Sequence, residues 1–128
     1  EPLSRTNLAD LKKIAEVCRK RGISLVLFSA PSPANWTMRR HNTIQDTAES
    51  LGLPYIDGNL LDLGIDWDTD TYDRGDHLNY RGAAKVTAWL GEYLRREVPG
   101  LTDRRGDPDY EIWDRDAAAF RARLEAQE

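Results

Sequence analysis

The sequence predicts a mixed α/β domain in which a short parallel sheet is covered by helices. Three observations favour this class: apolar residues recur at helical spacing in several segments, two short continuous apolar runs lie between those segments, and glycine or proline marks most of the boundaries. Alternation of helices and strands is typical of parallel strands with helices on the faces of the sheet.

The first helix is predicted to begin at Ser4 or Thr6, since either side chain can cap it. Gly22 provides its left-handed exit, and the continuous apolar run 23–28 predicts a buried parallel strand. We interpret the single cysteine as a small buried hydrophobe on the apolar face of the helix. That face consists of Leu8, Leu11, Ile14, Val17 and Cys18.

A second helix capped by Thr37 should end at Gly52, with a second strand over 53–56. Residues 57–77 then form a long acidic loop, and a third helix covers 80–96. Two strands are few for an open sheet, because sheets usually have ~4–6 strands. A further strand is therefore expected to be hidden in the pattern, contributed by a partner, or lost from the N-terminal side. The sheet edge left unpaired favours association with a second copy of the chain.

The sequence divides into a main domain over residues 1–100 and a C-terminal extension over 101–128. Residues 101–107 are polar and predict a linker, and Asp107-Pro108 is a typical helix start. We expect the terminal helix to dock on its own domain, with docking on another chain as the alternative. Its apolar stripe consists of Tyr110, Trp113, Ala117, Phe120 and Leu124.

Composition excludes several classes of function. A net charge of −4 gives no electrostatic basis for binding nucleic acid. A single cysteine excludes an internal disulfide and a cysteine-based zinc site, and no cofactor or metal is predicted. No apolar run reaches the ~18 residues of a membrane span, and there is no signal peptide. Because the chain lacks an initiator Met, we expect it to be a segment of a longer protein.

The most informative stretch is Asp73-Arg-Gly-Asp-His-Leu-Asn-Tyr-Arg-Gly82, directly ahead of the third helix. Histidine is suited to moving protons near neutral pH, and a carboxylate on its other ring nitrogen fixes the tautomer. Asp73 is favoured over the adjacent Asp76 as the partner of His77, because it lies one turn away and can fold back. The alternative is structural, with His77 or Asn79 capping the helix.

The pattern Asp-x-x-x-His-Leu-Asn-x-x-Gly-Ala-x-Lys-x-Thr, from Asp73 to Thr87, resembles the C-terminal histidine block of SGNH/GDSL-type hydrolases. It is closest to the bacterial extracytoplasmic branch with O-acetyl-transfer and D-alanyl-transfer relatives. The segments 30–37 and 64–70 are similar to that branch too, so the resemblance covers about residues 5–98. One departure is local: the family places aspartate three residues before the histidine, where this chain has Arg74.

The resemblance implies a three-layer α/β/α sandwich, flavodoxin-like and partial at its N-terminus, and chemistry on ester or acyl groups. It implies that His77 is the general base, that Asp73 orients it, and that a serine attacks. The substrate would be a small molecule or a cell-envelope carbohydrate ester, and the parent protein would be extracytoplasmic or membrane-anchored. The family's Gly-Asp-Ser nucleophile block is missing from this chain.

Other side chains are weaker candidates. Ser32 lies after the first strand but is flanked by prolines, and the adjacent loop residues Asn35 and Trp36 are candidates for oxyanion binding and for lining a substrate cleft. His41 is interpreted as a surface residue, with contact to an anionic substrate as the alternative.

The competing function is a non-catalytic binding module with an acidic loop. That loop holds seven aspartates, yet it lacks the glycine and the glutamate of a calcium-binding EF-hand. A turn-forming acidic loop is the favoured interpretation.

Overall fold

The computed structural model describes residues 3–126 and confirms the mixed α/β class with a short parallel sheet. Two parallel strands pair along the register Leu27–Tyr55 to Ser29–Asp57. No helix within residues 3–126 is both long and apolar enough to cross a bilayer. In chain order the elements are α1 (Arg5–Lys20), β1 (Leu27–Ser29), α2 (Met38–Leu51), β2 (Tyr55–Asp57), α3 (Tyr80–Glu97) and α4 (Glu111–Glu125).

The first two helices begin and end where the capping residues predict. The Ser4 side chain accepts a hydrogen bond from the amide of Asn7, and the Thr37 side chain accepts one from the amide of Arg40. Gly52 ends α2 in the left-handed conformation at φ 65°, a conformation that costs glycine little because it has no Cβ.

Both strands begin later than the sequence predicts, at Leu27 instead of Ile23 and at Tyr55 instead of Leu53. The reason lies in the ends of the preceding helices. The Ile23 amide donates to the Cys18 carbonyl, and the Leu53 amide donates to the Ala48 carbonyl, both at 2.9 Å. These residues therefore complete helix ends instead of joining the sheet ladder.

The apolar packing is thinner than the sequence predicts. Within residues 3–126, the buried apolar side chains are Ala48 on α2, Val86 on α3 and Pro31 in the loop after β1. Ile14 and Val17, predicted to face inward from α1, are about half exposed, and Cys18 is half-buried instead of buried. Polar contacts consequently carry much of the tertiary organisation.

Helix α3 is tied to the acidic loop by an ion pair and a close backbone contact. The Lys85 ammonium lies 2.5 Å from the buried Asp70 carboxylate and also donates to the Gly64 carbonyl at 2.6 Å. Gly82 is buried against the Asp70 carbonyl. The other anchor of α3 is aromatic, with the Trp89 ring stacked on Phe28 of β1 at 6.4 Å between centroids.

The chain separates into two compact units, the first extending to Glu92 and the second beginning at Tyr93. The second unit contains the end of α3, a 3₁₀ turn at Pro108–Tyr110 and α4. Asp107 caps the 3₁₀ turn, the Arg104 guanidinium lies over the Tyr110 ring, and the Gly106 amide donates to the Asp114 carboxylate. Docking of the terminal helix stays a prediction.

Substitution of two glycines on α3 should separate close packing from helix propensity. A Cβ at Gly82 would lie 2.4 Å from the Asp70 carbonyl oxygen, whereas one at Gly91 would meet nothing within 4 Å. We expect Gly82→Ala to lower the free energy of unfolding by about 1–3 kcal/mol. Gly91→Ala should raise it by about 0.5–1 kcal/mol. Urea unfolding measures both, and equal effects would contradict the close contact at Gly82.

Candidate functional site

Residues 71–78, here called the histidine loop, form a narrow reversal ahead of α3. An antiparallel bridge joins Thr71 to Leu78, and the Tyr72 amide donates to the His77 carbonyl at 2.9 Å. Arg74 has a positive φ of 57°, and Gly75 follows with φ 133°. This turn therefore places Arg74 in the left-handed region of backbone conformation.

The loop brings Asp73 and His77 into direct contact. Asp73 Oδ2 lies 2.6 Å from His77 Nδ1, while Asp73 Oδ1 accepts the amides of His77 at 2.8 Å and Asp76 at 3.0 Å. An ionised carboxylate can only accept hydrogen bonds, so Nδ1 carries the proton. Nε2 is then the nitrogen that is able to take or give a proton.

The pKa values of this pair shift in the directions that the contact predicts. The hydrogen bonds from the His77 ring and amide lower the pKa of Asp73 to about 2. The Asp73 hydrogen bond and then the charge of Asp76 raise the pKa of His77 above its usual 6.5. The His77 side chain is 72% exposed, so its charged form is also stabilised by water.

Asp76 connects the histidine loop to the loop that follows β1. Its Oδ1 accepts hydrogen bonds from the Ser32 hydroxyl at 3.0 Å and from the Asn35 amide group. Its Oδ2 lies 3.5 Å from His77 Nδ1, farther than Asp73. The structure thus brings together five of the six predicted site residues, and Trp36 belongs to a neighbouring cluster.

Neither serine at the ends of the strand region is hydrogen-bonded to His77. The Ser32 hydroxyl donates to Asp76, and the Ser29 hydroxyl is paired with the Tyr55 hydroxyl at 3.0 Å. The capping alternative named His77 or Asn79, and it is confirmed for Asn79, whose Oδ1 accepts the first-turn amides of Arg81 and Gly82. The His77 ring therefore has no role in capping α3.

A second His–Asp pair lies at the end of β2, within a group that we call the Asp57 cluster. The Asp57 side chain is only 2% exposed, and His41 Nδ1 lies 2.8 Å from its Oδ2. Other groups donate hydrogen bonds to the two carboxylate oxygens of Asp57. They belong to the loop after β1, to β2 and to the turn that follows β2. These donors are Trp36 Nε1 at 2.8 Å, the Tyr55 hydroxyl at 3.2 Å, and the Asn59 amide and side chain at 3.0 and 2.8 Å.

These donors keep Asp57 ionised despite its burial. Burial by itself raises the pKa of Asp57, but hydrogen bonds from Asn59, Trp36 and His41 outweigh it and bring the pKa to about 2. An isolated buried carboxylate would be costly, and the surrounding donors offset that cost.

The interpretation of His41 as a surface residue is wrong. Its side chain is 18% exposed because the first turn of α2 lies over the end of β2. The sequence carried one signal for this cluster, a polar residue at the end of a buried strand followed by glycine, Asp57-Gly58. Gly58 is required there, since a Cβ would lie 2.8 Å from the Ser29 carbonyl oxygen.

The Asp57 cluster and the histidine loop are joined by hydrogen bonds. Asn59 Oδ1 accepts the Ser32 amide at 2.7 Å, and the Ser32 hydroxyl donates to Asp76. Beside this connection lies an open cleft of about 440 Å³, whose lining includes Trp36, Arg40 and His41. Ser32 and Asn35 thus line the cleft and are also hydrogen-bonded to Asp76 of the histidine loop.

The histidine loop also contains the residues best placed to hold a metal ion. Asp73, Asp76 and His77 present ligand atoms within 4.8 Å of one another. The aspartates upstream of the histidine loop have other partners. Asp66 Oδ1 accepts the amides of Asp68 and Thr69, and Asp70 pairs with Lys85.

Comparison of the chain with known protein families, with curated proteins and with solved structures finds no match. The resemblance to SGNH-type hydrolases therefore rests on the residue pattern, and the function follows from the geometry of the site as a proposal.

Titration of His77 should distinguish the contributions of its two carboxylates. Asp73→Asn removes a negative charge and replaces the charge-assisted hydrogen bond to Nδ1 by a weaker neutral one, so it should lower the His77 pKa more than Asp76→Asn, which removes mainly a charge. NMR of the His77 ring protons measures each pKa. An equal decrease in the two variants would contradict the Nδ1 contact with Asp73.

The same pair predicts how stability changes with pH. Because the pKa of Asp73 is below its ordinary value of 3.8, the contribution of ionised Asp73 to folded-state stability is present above pH 3.8 and is lost as pH falls toward 2. Because the pKa of His77 is raised above 6.5, its contribution is complete below that pH and is lost as pH rises through the raised value.

Asp57→Asn should destabilise the first unit far more than a matched change on the surface. In this variant an NH2 group replaces one carboxylate oxygen and faces hydrogen-bond donors, from which it cannot accept. We expect the free energy of unfolding to fall by about 2–3 kcal/mol. Asp62→Asn is the control, because Asp62 is exposed and, within residues 3–126, accepts only the Gly64 amide. Urea unfolding compares the two, and a loss at Asp57 no larger than that at Asp62 would contradict the importance of the cluster.

Proposed function

We propose that this chain is the C-terminal portion of an SGNH-type serine esterase or acyl-transferase. The observation that carries the proposal is the 2.6 Å contact between Asp73 Oδ2 and His77 Nδ1, which leaves Nε2 available. The proposed complete fold is a three-layer α/β/α sandwich, and its active site would lie beyond the carboxyl ends of the parallel strands, the usual location in open α/β sheets.

In the proposed mechanism His77 is the general base. Nε2 takes the proton from a serine hydroxyl as the serine oxygen bonds to the ester carbonyl carbon, and the carbonyl electron pair moves to oxygen. When the tetrahedral intermediate collapses, Nε2 returns the proton to the leaving alcohol. Asp73 holds the ring in the required tautomer and stabilises the imidazolium.

The nucleophile is proposed to lie outside these 128 residues. The hydrogen-bond partners of Ser32 and Ser29 support this, since their hydroxyls are engaged with Asp76 and Tyr55. Asn35 donates one amide N–H to Asp76. Its second N–H is the candidate for binding the oxyanion once a substrate is present.

The substrate in this proposal is a small-molecule ester or a carbohydrate ester of the bacterial cell envelope, as in the related hydrolases. The alternative is a non-catalytic module in which Asp73, Asp76 and His77 bind a metal ion, and their proximity is the observation that favours it. The two candidate functions use His77 differently. The hydrolase needs Nε2 of His77 for proton transfer, whereas the metal site needs a ring nitrogen of His77 as a ligand of the ion.

Hydrolysis of p-nitrophenyl acetate tests the proposal in two forms of the protein. The 128-residue chain should show no turnover above background. In a longer natural form that contains the nucleophile, His77→Ala should lower the rate by about 10⁴-fold, the loss typical of a disrupted His–Asp pair.

Ser50→Ala is the control in the longer form and should keep turnover within a few-fold of the unchanged protein, because Ser50 is exposed at the end of α2 and donates locally to the Thr47 carbonyl. Full activity of the His77 variant would refute the hydrolase. Turnover by the 128-residue chain that Ser32→Ala abolishes would refute an external nucleophile. Saturable binding of Zn²⁺ or Ca²⁺ with no turnover in the longer form would favour the metal-binding module.

A further inference from the structure

The cleft beside the histidine loop has an unusual charge composition for an acidic protein. The chain carries a net charge of −4, yet among residues 3–126 no aspartate or glutamate lines the cleft. Arg40 is the cationic lining residue with a permanent charge, and the remaining polar groups are mainly hydroxyls and amides. They surround an apolar wall formed in part by Trp36 and Ile44.

The floor of the cleft is held in place before any ligand binds. Trp36, His41 and Tyr55 line the cleft, and each of them is hydrogen-bonded to the buried Asp57 carboxylate. The negative charge of Asp57 is surrounded by these donors and by Asn59. A preorganised floor of this kind lowers the entropy cost of binding.

Arg40 is connected to the proposed catalytic histidine through two residues, Asn35 and Asp76. Its Nη1 donates to the Asn35 carbonyl, and the Asn35 side chain donates to Asp76, which lies 3.5 Å from His77. The guanidinium has five N–H donors, and this is its one hydrogen-bonded contact through the side chain among residues 3–126. The other donors are available for a ligand.

We propose that the cleft binds a negatively charged group of the substrate, a carboxylate or a phosphate, at Arg40. The apolar part of the substrate would lie against Trp36 and Ile44, and the ester would reach toward His77. The ester end rests on the proposed hydrolase function, whereas the anion subsite at Arg40 is independent of it. The proposal thus narrows the substrate class to anionic esters.

Ligand binding to the 128-residue chain tests this subsite without requiring turnover. The probe is 4-acetamidobenzoate, and its neutral isostere 4-acetamidobenzamide is the control ligand. We expect the carboxylate to shift the NMR signal of the Trp36 indole N–H saturably. It should bind about tenfold more tightly than the amide, as one charge-assisted contact predicts.

Two neighbouring arginines provide matched variants. Arg40→Gln should weaken binding of the carboxylate about tenfold, while Arg40→Lys should restore part of it. Arg39→Gln should change binding less than twofold, because Arg39 is exposed on α2 and does not line the cleft. The amide spectra of each variant report whether it is folded.

Equal binding of the two probes, an equal loss in Arg39→Gln and Arg40→Gln, or no saturable shift would each overturn the anion subsite. These outcomes are separable from failure of the hydrolase. If His77→Ala left turnover unchanged in the longer protein while the carboxylate still bound at Arg40, the subsite would stand and the catalytic assignment would fall.

Discussion

The buried carboxylate of Asp57 is the constraint on which the site depends. It receives hydrogen bonds from the loop after β1, from α2, from β2 and from the turn that follows β2. A buried charge must be surrounded by donors to be tolerated, so the positions of these elements are mutually dependent. With only Ala48, Val86 and Pro31 buried as apolar side chains among residues 3–126, this polar cluster supplies the specificity that a larger apolar core would otherwise provide.

The protein contains two His–Asp pairs of similar geometry and different environment. The separation is 2.6 Å at His77 and 2.8 Å at His41, in both cases through Nδ1. His41 is largely covered and is one of several donors to a shared carboxylate, which suits it to a structural role. His77 is exposed and paired mainly with one carboxylate, which leaves its other nitrogen open to a reactant. Environment therefore separates the two roles, since the residue types are the same.

The histidine loop is positioned from both sides. On one side Asp76 is held by Ser32 and Asn35 of the β1 loop. On the other side the loop leads directly into α3, whose close approach to the Asp70 carbonyl at Gly82 and ion pair at Lys85 fix its start. The role proposed for His77 requires a general base held within a fraction of an ångström of its working position, and this double attachment restrains the loop that carries the exposed side chain.

The sequence by itself determined the fold class, the helix ends and the pairing of Asp73 with His77, because these depend on local spacing and on capping chemistry. Ser4, Thr37 and Gly52 act within a few residues of themselves, and the Asp73 contact spans a single turn. The true strand starts were missed because Ile23 and Leu53 complete helix ends, a competition between two local structures that an apolar run does not reveal.

Only the tertiary structure decided the environment of His41, the use of Ser32 by Asp76 and the cleft that no carboxylate of residues 3–126 lines. Each of these joins residues distant in the chain, 16 positions apart for His41 and Asp57 and 44 for Ser32 and Asp76. The parallel pairing of β1 with β2 is what brings their following loops to one edge. Burial and hydrogen bonding at that edge then set which histidine holds structure and which is open to a reactant, and neither property can be read from residue identity.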